Sequence, residues 1–96
     1  MIIVGGVVQF KAEMRDAVLA GVQEMMAASR AEEGCLAYTF SADLAAPDIL
    51  HLFEVWTSEQ ALEAHRQSPH MAEFRRITIP HFTKLDLKRY VGEETQ

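Results

Sequence analysis

The sequence predicts an α+β sandwich: an antiparallel sheet carrying helices on one face. Three observations predict it. The elements read in the order β-α-β-β-α-β, with the second helix broken in two. The link Ala45-Ala46-Pro47-Asp48 between the second and third strands is short and joins strands of matched length, which favours an antiparallel hairpin. Strands one to three offer apolar residues on both faces, although only one layer of helices is available. Ninety-six residues make one domain, 1–96, with a polar tail at 92–96 and no spare element for the second sheet face. A second copy of the chain is the expected cover, giving a homodimer through sheet-to-sheet packing.

Strand one is Met1 to Phe10. Ile2, Val4, Gly6, Val8 and Phe10 share one face, and Ile3, Gly5, Val7 and Gln9 the other. Gly5-Gly6 removes two side chains in mid-strand, as a bulge or a close backbone approach requires. Residues 12–33 form a long helix. Met14, Val18, Val22, Met25 and Ser29 make its apolar stripe, and Gly34 stops it. Strand two runs from Cys35 to Asp43, with Leu36, Tyr38 and Phe40 on one face. Strand three follows, with Leu50, Leu52, Glu54 and Trp56 facing one way and Ile49, His51, Phe53 and Val55 the other. A helix then starts at Thr57-Ser58, where Thr57 with Gln60 fits a capping box and Ser58 is a second candidate cap. Ser68-Pro69 restarts it, with proline at the first helical position. Phe82 to Val91 is the last strand, with a half-buried face of Thr83, Leu85, Leu87, Arg89 and Val91.

The stretch Leu50 to Phe74 places Trp56, Glu54, His65 and His70 around a strand-to-helix corner, a common mouth of ligand sites. His65 titrates near neutrality and can move a proton. It also fits a half-buried helix histidine bonded to a neighbouring group, and its replacement by alanine is expected to cost little stability. Trp56 offers a stacking surface and one N–H donor, or else it fills the core. Glu54 can hold His65 or a substrate hydroxyl, or pair with Arg66 or Arg75. Tyr38 is a donor near the same site if strands two and three are neighbours. Met71 and Phe74 add apolar lining, so the expected ligand is a small flat aromatic molecule. His65 and His70 stand at i and i+5 across Pro69 and share no helical face. No metal site is expected from that spacing.

Composition narrows the function classes. The net charge of −5 leaves no basic stripe for phosphates, so nucleic acid is not an expected partner. No apolar run is long enough for a membrane span, and no basic leader opens the chain, so no membrane partner is expected. The single cysteine forms no internal disulfide and fits a reducing cytoplasm. Cys35 follows a helix C-terminus, where the dipole disfavours a thiolate. No phosphate loop, Cys-x-x-Cys pair or dinucleotide fingerprint occurs, so no cofactor is expected.

Glu54-x-Trp56, the Ser-x-x-Ala/Leu helix start, His65, and Ser68-Pro69-His70 followed by Phe74 resemble the antibiotic biosynthesis monooxygenase family, with its quinol-monooxygenase-like branch nearest. Glu33-Gly34-Cys35-Leu36-x-Tyr38 is similar to the family's second signature. The resemblance covers nearly the whole chain. It implies a ferredoxin-like fold paired sheet to sheet as a dimeric α+β barrel. It also implies a cofactor-independent monooxygenase acting on a quinol or polyphenol. His65 and Trp56 are then catalytic, and Tyr38, Glu54, His70, Met71 and Phe74 surround the substrate. Monooxygenases of the family combine Asn and Trp with Tyr or His, yet this chain contains no asparagine. Phe74 stands where the haem-degrading branch places its iron-ligating His. A relative with a similar His and Pro-His isomerises a phosphorylated sugar, so a carbonyl isomerase is the alternative. A ligand-binding dimer without turnover is the third reading.

Overall fold

The structure, a computed structural model, describes residues 1–95; Gln96, the end of the expected polar tail, lies outside the described residues. Four strands, β1 (Ile2–Phe10), β2 (Cys35–Ala42), β3 (Ile49–Trp56) and β4 (Phe82–Val91), form one antiparallel sheet in the order β2-β3-β1-β4. Helices α1 (Arg15–Arg30), α2 (Glu59–Arg66) and α3 (Pro69–Ile77) pack on one face of it. This is the expected α+β sandwich with a ferredoxin-like order of elements.

The alternation read from the strands decides which face is buried. Ile2, Val4, Val8 and Phe10 of β1 and Leu50, Leu52 and Trp56 of β3 lie under the helices. Val18, Val22 and Met25 of α1, Leu62 of α2 and Phe74 of α3 close the core from above. On the opposite face, Phe53 and Tyr90 are 51% and 53% exposed, and no element among the described residues covers them.

Three local readings change, and the choice left open at Gly5-Gly6 is decided. The helix expected over 12–33 is shorter: Ala12–Met14 is a 3-10 turn and α1 ends at Arg30. The Gly5-Gly6 pair makes no bulge, because both residues stay in register with β3 and β4. Gly6 is there so that the β4 backbone can approach: a Cβ on it would lie 2.0 Å from the Asp86 carbonyl oxygen. A bulge between Cys35 and Ala37 takes Leu36 off the Tyr38 and Phe40 face and leaves it exposed. In β4 only Leu87 on the expected face is half-buried, while Leu85, Arg89 and Val91 are exposed. The helices stop short of this edge strand, and a cavity opens there.

The corner after β3 is held by short-range chemistry. Ser58 is the cap of α2, its Oγ accepting the Ala61 N–H at 3.1 Å; the Thr57 backbone N–H is spent on the Gly34 carbonyl at 2.9 Å. That bond ties the corner to the end of α1. Gly34 makes the tie possible. Its φ of +84° is left-handed, and a Cβ would meet the Ala61 Cβ at 2.6 Å. Ser68 caps α3 by accepting the Met71 N–H at 3.2 Å, and donates back to the His65 carbonyl at 2.7 Å.

Candidate functional site

Between the sheet and helices α2 and α3 lies a cavity of about 210 Å³. A cavity of about 150 Å³ holds a benzene ring, so this one has room for a substituted ring or a small fused pair. Its walls are largely apolar: Val4, Val8, Phe40, Leu52, Leu62, Met71, Phe74, Ile79, Phe82, Leu85 and Leu87. Tyr38, Glu54 and His65 are the buried polar side chains facing it, and Arg66, Lys88 and Arg89 stand at its edge. Arg89 pairs with Glu59 at the start of α2, tying the edge strand to the helix layer.

His65 is 3% exposed, with its ring against Trp56 (centroids 4.7 Å apart) and Tyr38 (5.3 Å). Its Nδ1 lies 2.8 Å from Glu32 Oε2. A carboxylate only accepts, so the proton on this bond belongs to Nδ1 and the neutral ring carries its lone pair on Nε2. Burial pushes the imidazole below its ordinary value of 6.5, while the Glu32 carboxylate pulls the other way. The result is a neutral imidazole, oriented from behind by a carboxylate. The bond to a neighbouring group is as expected, but His65 is buried on the inner face of α2 rather than half-buried, so the expectation that its replacement by alanine costs little is corrected.

Glu32 was missed by sequence reasoning. It sits in the turn after α1, its N–H on the Ser29 carbonyl at 3.0 Å and its carbonyl accepting from the Cys35 N–H at 3.2 Å. No spacing links it to His65, 33 positions on; the Gly34–Thr57 tie and the pairing of Cys35 with Trp56 bring the two together.

His70 lies at the same carboxylate, its Nε2 2.9 Å from Glu32 Oε1. The two histidines, at i and i+5 across the restart at Pro69, share no helical face, yet they converge on one carboxylate. The chain turns at Gln67-Ser68, and α3 restarts in a new direction that brings the rings to 5.9 Å between centroids. His70 lines the groove between α1 and α3 rather than the cavity.

Of the two readings of Trp56, stacking surface or core filler, the structure shows the second. It is fully buried, and its Nε1–H donates to Glu54 Oε1 at 2.9 Å. The indole therefore supports the site from beneath, holding Glu54 and backing His65. Glu54 takes this bond instead of an arginine pair: Arg66 sits 3.7 Å from Glu63, and Arg75 donates to the Arg66 carbonyl. Burial raises the Glu54 carboxyl above its ordinary 4.5, opposed by the Trp56 N–H and the Arg66 charge. Tyr38 is raised far above its ordinary value, by burial first and the Glu54 charge second, and remains a neutral hydroxyl. Cys35 is raised by burial and by the charges of Glu32 and Glu54, in keeping with its expected inertness. His51 lies on the open sheet face, paired with Asp43 at 2.8 Å.

The raised carboxyl makes Glu54 a stability liability at neutral pH. A folded value above the unfolded one means that the folded state holds the proton more tightly. The contribution is full below the unfolded value and is lost as pH rises through the folded one. Glu54→Gln keeps an oxygen for the Trp56 N–H and never ionises. It is expected to raise stability, and with it Tm, at pH 7.5. The gain should disappear near pH 4. Thermal melts at both pH values check this, and an unchanged or lower Tm at pH 7.5 contradicts it.

The geometry agrees with what the chain is similar to. The sequence profile described as "antibiotic biosynthesis monooxygenase" matches residues 1–77. An uncharacterised protein of Synechocystis sp. is 32% identical over 96 residues; the match covers 99% of this chain and 65% of that protein's length. Among solved structures, Rv0793 from Mycobacterium tuberculosis superposes with a TM-score of 0.88 at 26% identity, covering 98% of this chain and 96% of that one. The crystal structure of an antibiotic biosynthesis monooxygenase gives 0.85 at 25% identity with both chains fully covered. The profile spans the first three strands and all three helices, including every buried polar group of the cavity. On that match the chain belongs to the antibiotic biosynthesis monooxygenase family.

Proposed function

We propose that this protein is a monooxygenase acting on a quinol or polyphenolic aromatic substrate, with the substrate itself as the reductant. One observation carries the reading: a neutral imidazole, anchored through Nδ1–H on Glu32, faces a largely apolar cavity sized for an aromatic ring. His65 Nε2 accepts the proton of a ring hydroxyl. The resulting anion is electron-rich enough to reduce oxygen directly. A substrate RH2 with O2 then yields RO and water, so the substrate supplies every electron. Tyr38 and Glu54 orient the ring's polar substituents, and Phe74 and Met71 pack its faces.

An oxygen electrode tests this on chelator-treated protein with 1,4-dihydroxynaphthalene. Uptake above the uncatalysed rate is expected. Equal substrate loss with and without oxygen counts against oxygenation.

A second reading draws on Arg66, Lys88 and Arg89 at the cavity edge. Arg89 pairs with Glu59 and Arg66 lies 3.7 Å from Glu63, so Lys88 is the cation left to meet an anionic substrate group, and a base next to a carbonyl suits an isomerase of a small phosphorylated compound. Arg75 and Arg76 do not contribute: they bond the Arg66 carbonyl and Glu73. Oxygen-independent conversion of a phosphorylated ketone favours this alternative.

The open sheet face supports a homodimer. Ile3, Val7, Phe53, Val55 and Tyr90 present apolar surface there. A stable interface buries about 1,600 Å² in total. Light scattering at micromolar concentration should give twice the chain mass of 10.8 kDa, and Phe53→Glu should shift it toward the monomer. A monomeric mass for the unmodified chain contradicts the dimer.

A further inference from the structure

We propose that Glu32, His65 and His70 form a binding site for a divalent transition-metal ion, zinc by the character of the ligands. The site lies behind the cavity wall: each of the three residues offers one ligand atom within 4.8 Å of the other two, and His65 Nδ1 and His70 Nε2 stand 2.8 and 2.9 Å from the Glu32 carboxylate. Two imidazoles and a carboxylate are a common catalytic-type zinc set, leaving a fourth position for water. Zinc takes such ligands at about 2.1 Å, so a shift of the order of 1 Å in one ring puts all three on a common centre.

The contacts at Glu32 separate this reading from a plain hydrogen-bonded pair of histidines. His70 Nε2 lies 2.9 Å from Glu32 Oε1, yet it is sealed from solvent and forms no hydrogen bond there, because the oxygen is out of line with the ring nitrogen. A shared cation explains that arrangement. It sits at the apex above an N···O pair of this separation, on the nitrogen's lone-pair axis, with the oxygen to one side. An ideal hydrogen bond would put the oxygen on the axis itself.

Access and charge favour a cation. His70 lines the groove between α1 and α3, whose walls also carry Glu24 and Glu73. The chain as a whole is negative, at −5. The fold supplies rigidity from two sides: the Gly34–Thr57 tie fixes Glu32, and the Ser68 cap fixes the turn between the two histidines.

The site stands independently of the proposed reaction, but its consequence for that reaction rests on the base reading of His65. A cation on Nδ1 displaces the proton that Nδ1 now donates to Glu32. The proton of the neutral ring must then sit on Nε2, which changes from acceptor to donor. Metal occupancy would therefore switch off the cavity's base.

The experiment uses zinc alone, so its outcome is separate from any failure of the oxygenase reading. The full chain is stripped with chelator and titrated with Zn²⁺ by calorimetry at pH 7.5, beside His70→Ala, Glu32→Gln and the control His51→Ala. One ion per chain is expected. His70→Ala and Glu32→Gln should each weaken it by more than roughly a hundredfold, the upper end of what outer-shell changes alone produce; His51→Ala should not. Should either variant unfold, Co²⁺ titration of the unmodified chain decides the matter. Intense visible bands of a four-coordinate N/O site support the proposal, and their absence overturns it. No binding by the unmodified chain, or binding that survives both substitutions, also overturns it.

Discussion

Gly6→Ala is expected to unfold the domain or cost at least about 3 kcal/mol, the upper range of overpacking effects. The added Cβ would lie 2.0 Å from the Asp86 carbonyl oxygen and 2.9 Å from both the Asp86 carbonyl carbon and the Leu87 Cα. All three are backbone atoms of β4, so no side chain can rotate away. Relief requires β4 to separate from β1, which removes the edge strand and with it Leu85, Leu87 and Arg89 from the cavity wall. Gly5→Ala is the matched control. Its Cβ would meet nothing closer than the Leu52 oxygen at 3.7 Å, an ordinary contact. Denaturant melts should show Gly5→Ala near the unmodified stability and Gly6→Ala far below it. Equal stabilities would show that β4 does not pack on β1 as described.

His65→Asn is expected to reduce kcat for oxygen uptake by roughly a hundredfold or more, the usual scale of a lost general base. Asparagine places its amide N–H close to where imidazole Nδ1–H stands, so it can keep the Glu32 bond while deleting the cavity-facing nitrogen. His65→Ala loses both. It should also lose about 2 kcal/mol of stability, because a buried ring is removed and a half-buried carboxylate loses its partner. The pair separates chemistry from structure. Near-native Tm with collapsed kcat in His65→Asn supports a base; unchanged kcat in a folded His65→Asn removes His65 from the chemistry.

What could be read before folding divides along a physical line. The strands declared themselves because alternation is local: Leu50, Leu52, Glu54 and Trp56 were placed on one face, and all four are buried together. The Ser68-Pro69 restart was legible for the same reason, since a cap and its proline are neighbours. Long-range placement was not. Nothing in the sequence marks Glu32 as the partner of His65, because their meeting depends on a left-handed Gly34 joined to Thr57 across the sandwich. The convergence of His65 and His70 was misread because residue spacing predicts a shared face only along an unbroken helix. Trp56 was read as either a stacking surface or a core filler. Whether an indole on the inner sheet face lines a space or seals it depends on how far α2 reaches over it. Leu36 was lost to a bulge, which leaves no trace in a strand's alternation.

The protein's account rests on one location: an aromatic hydroxyl compound bound between the sheet and helices α2 and α3, against His65. Crystals soaked anaerobically with 1,4-dihydroxynaphthalene test it most directly. The predicted result is a ring between Phe74 and Leu52 with one hydroxyl within hydrogen-bond distance of His65 Nε2. A ring found instead in the groove between α1 and α3, or on the open face beside Phe53 and Tyr90, would contradict it.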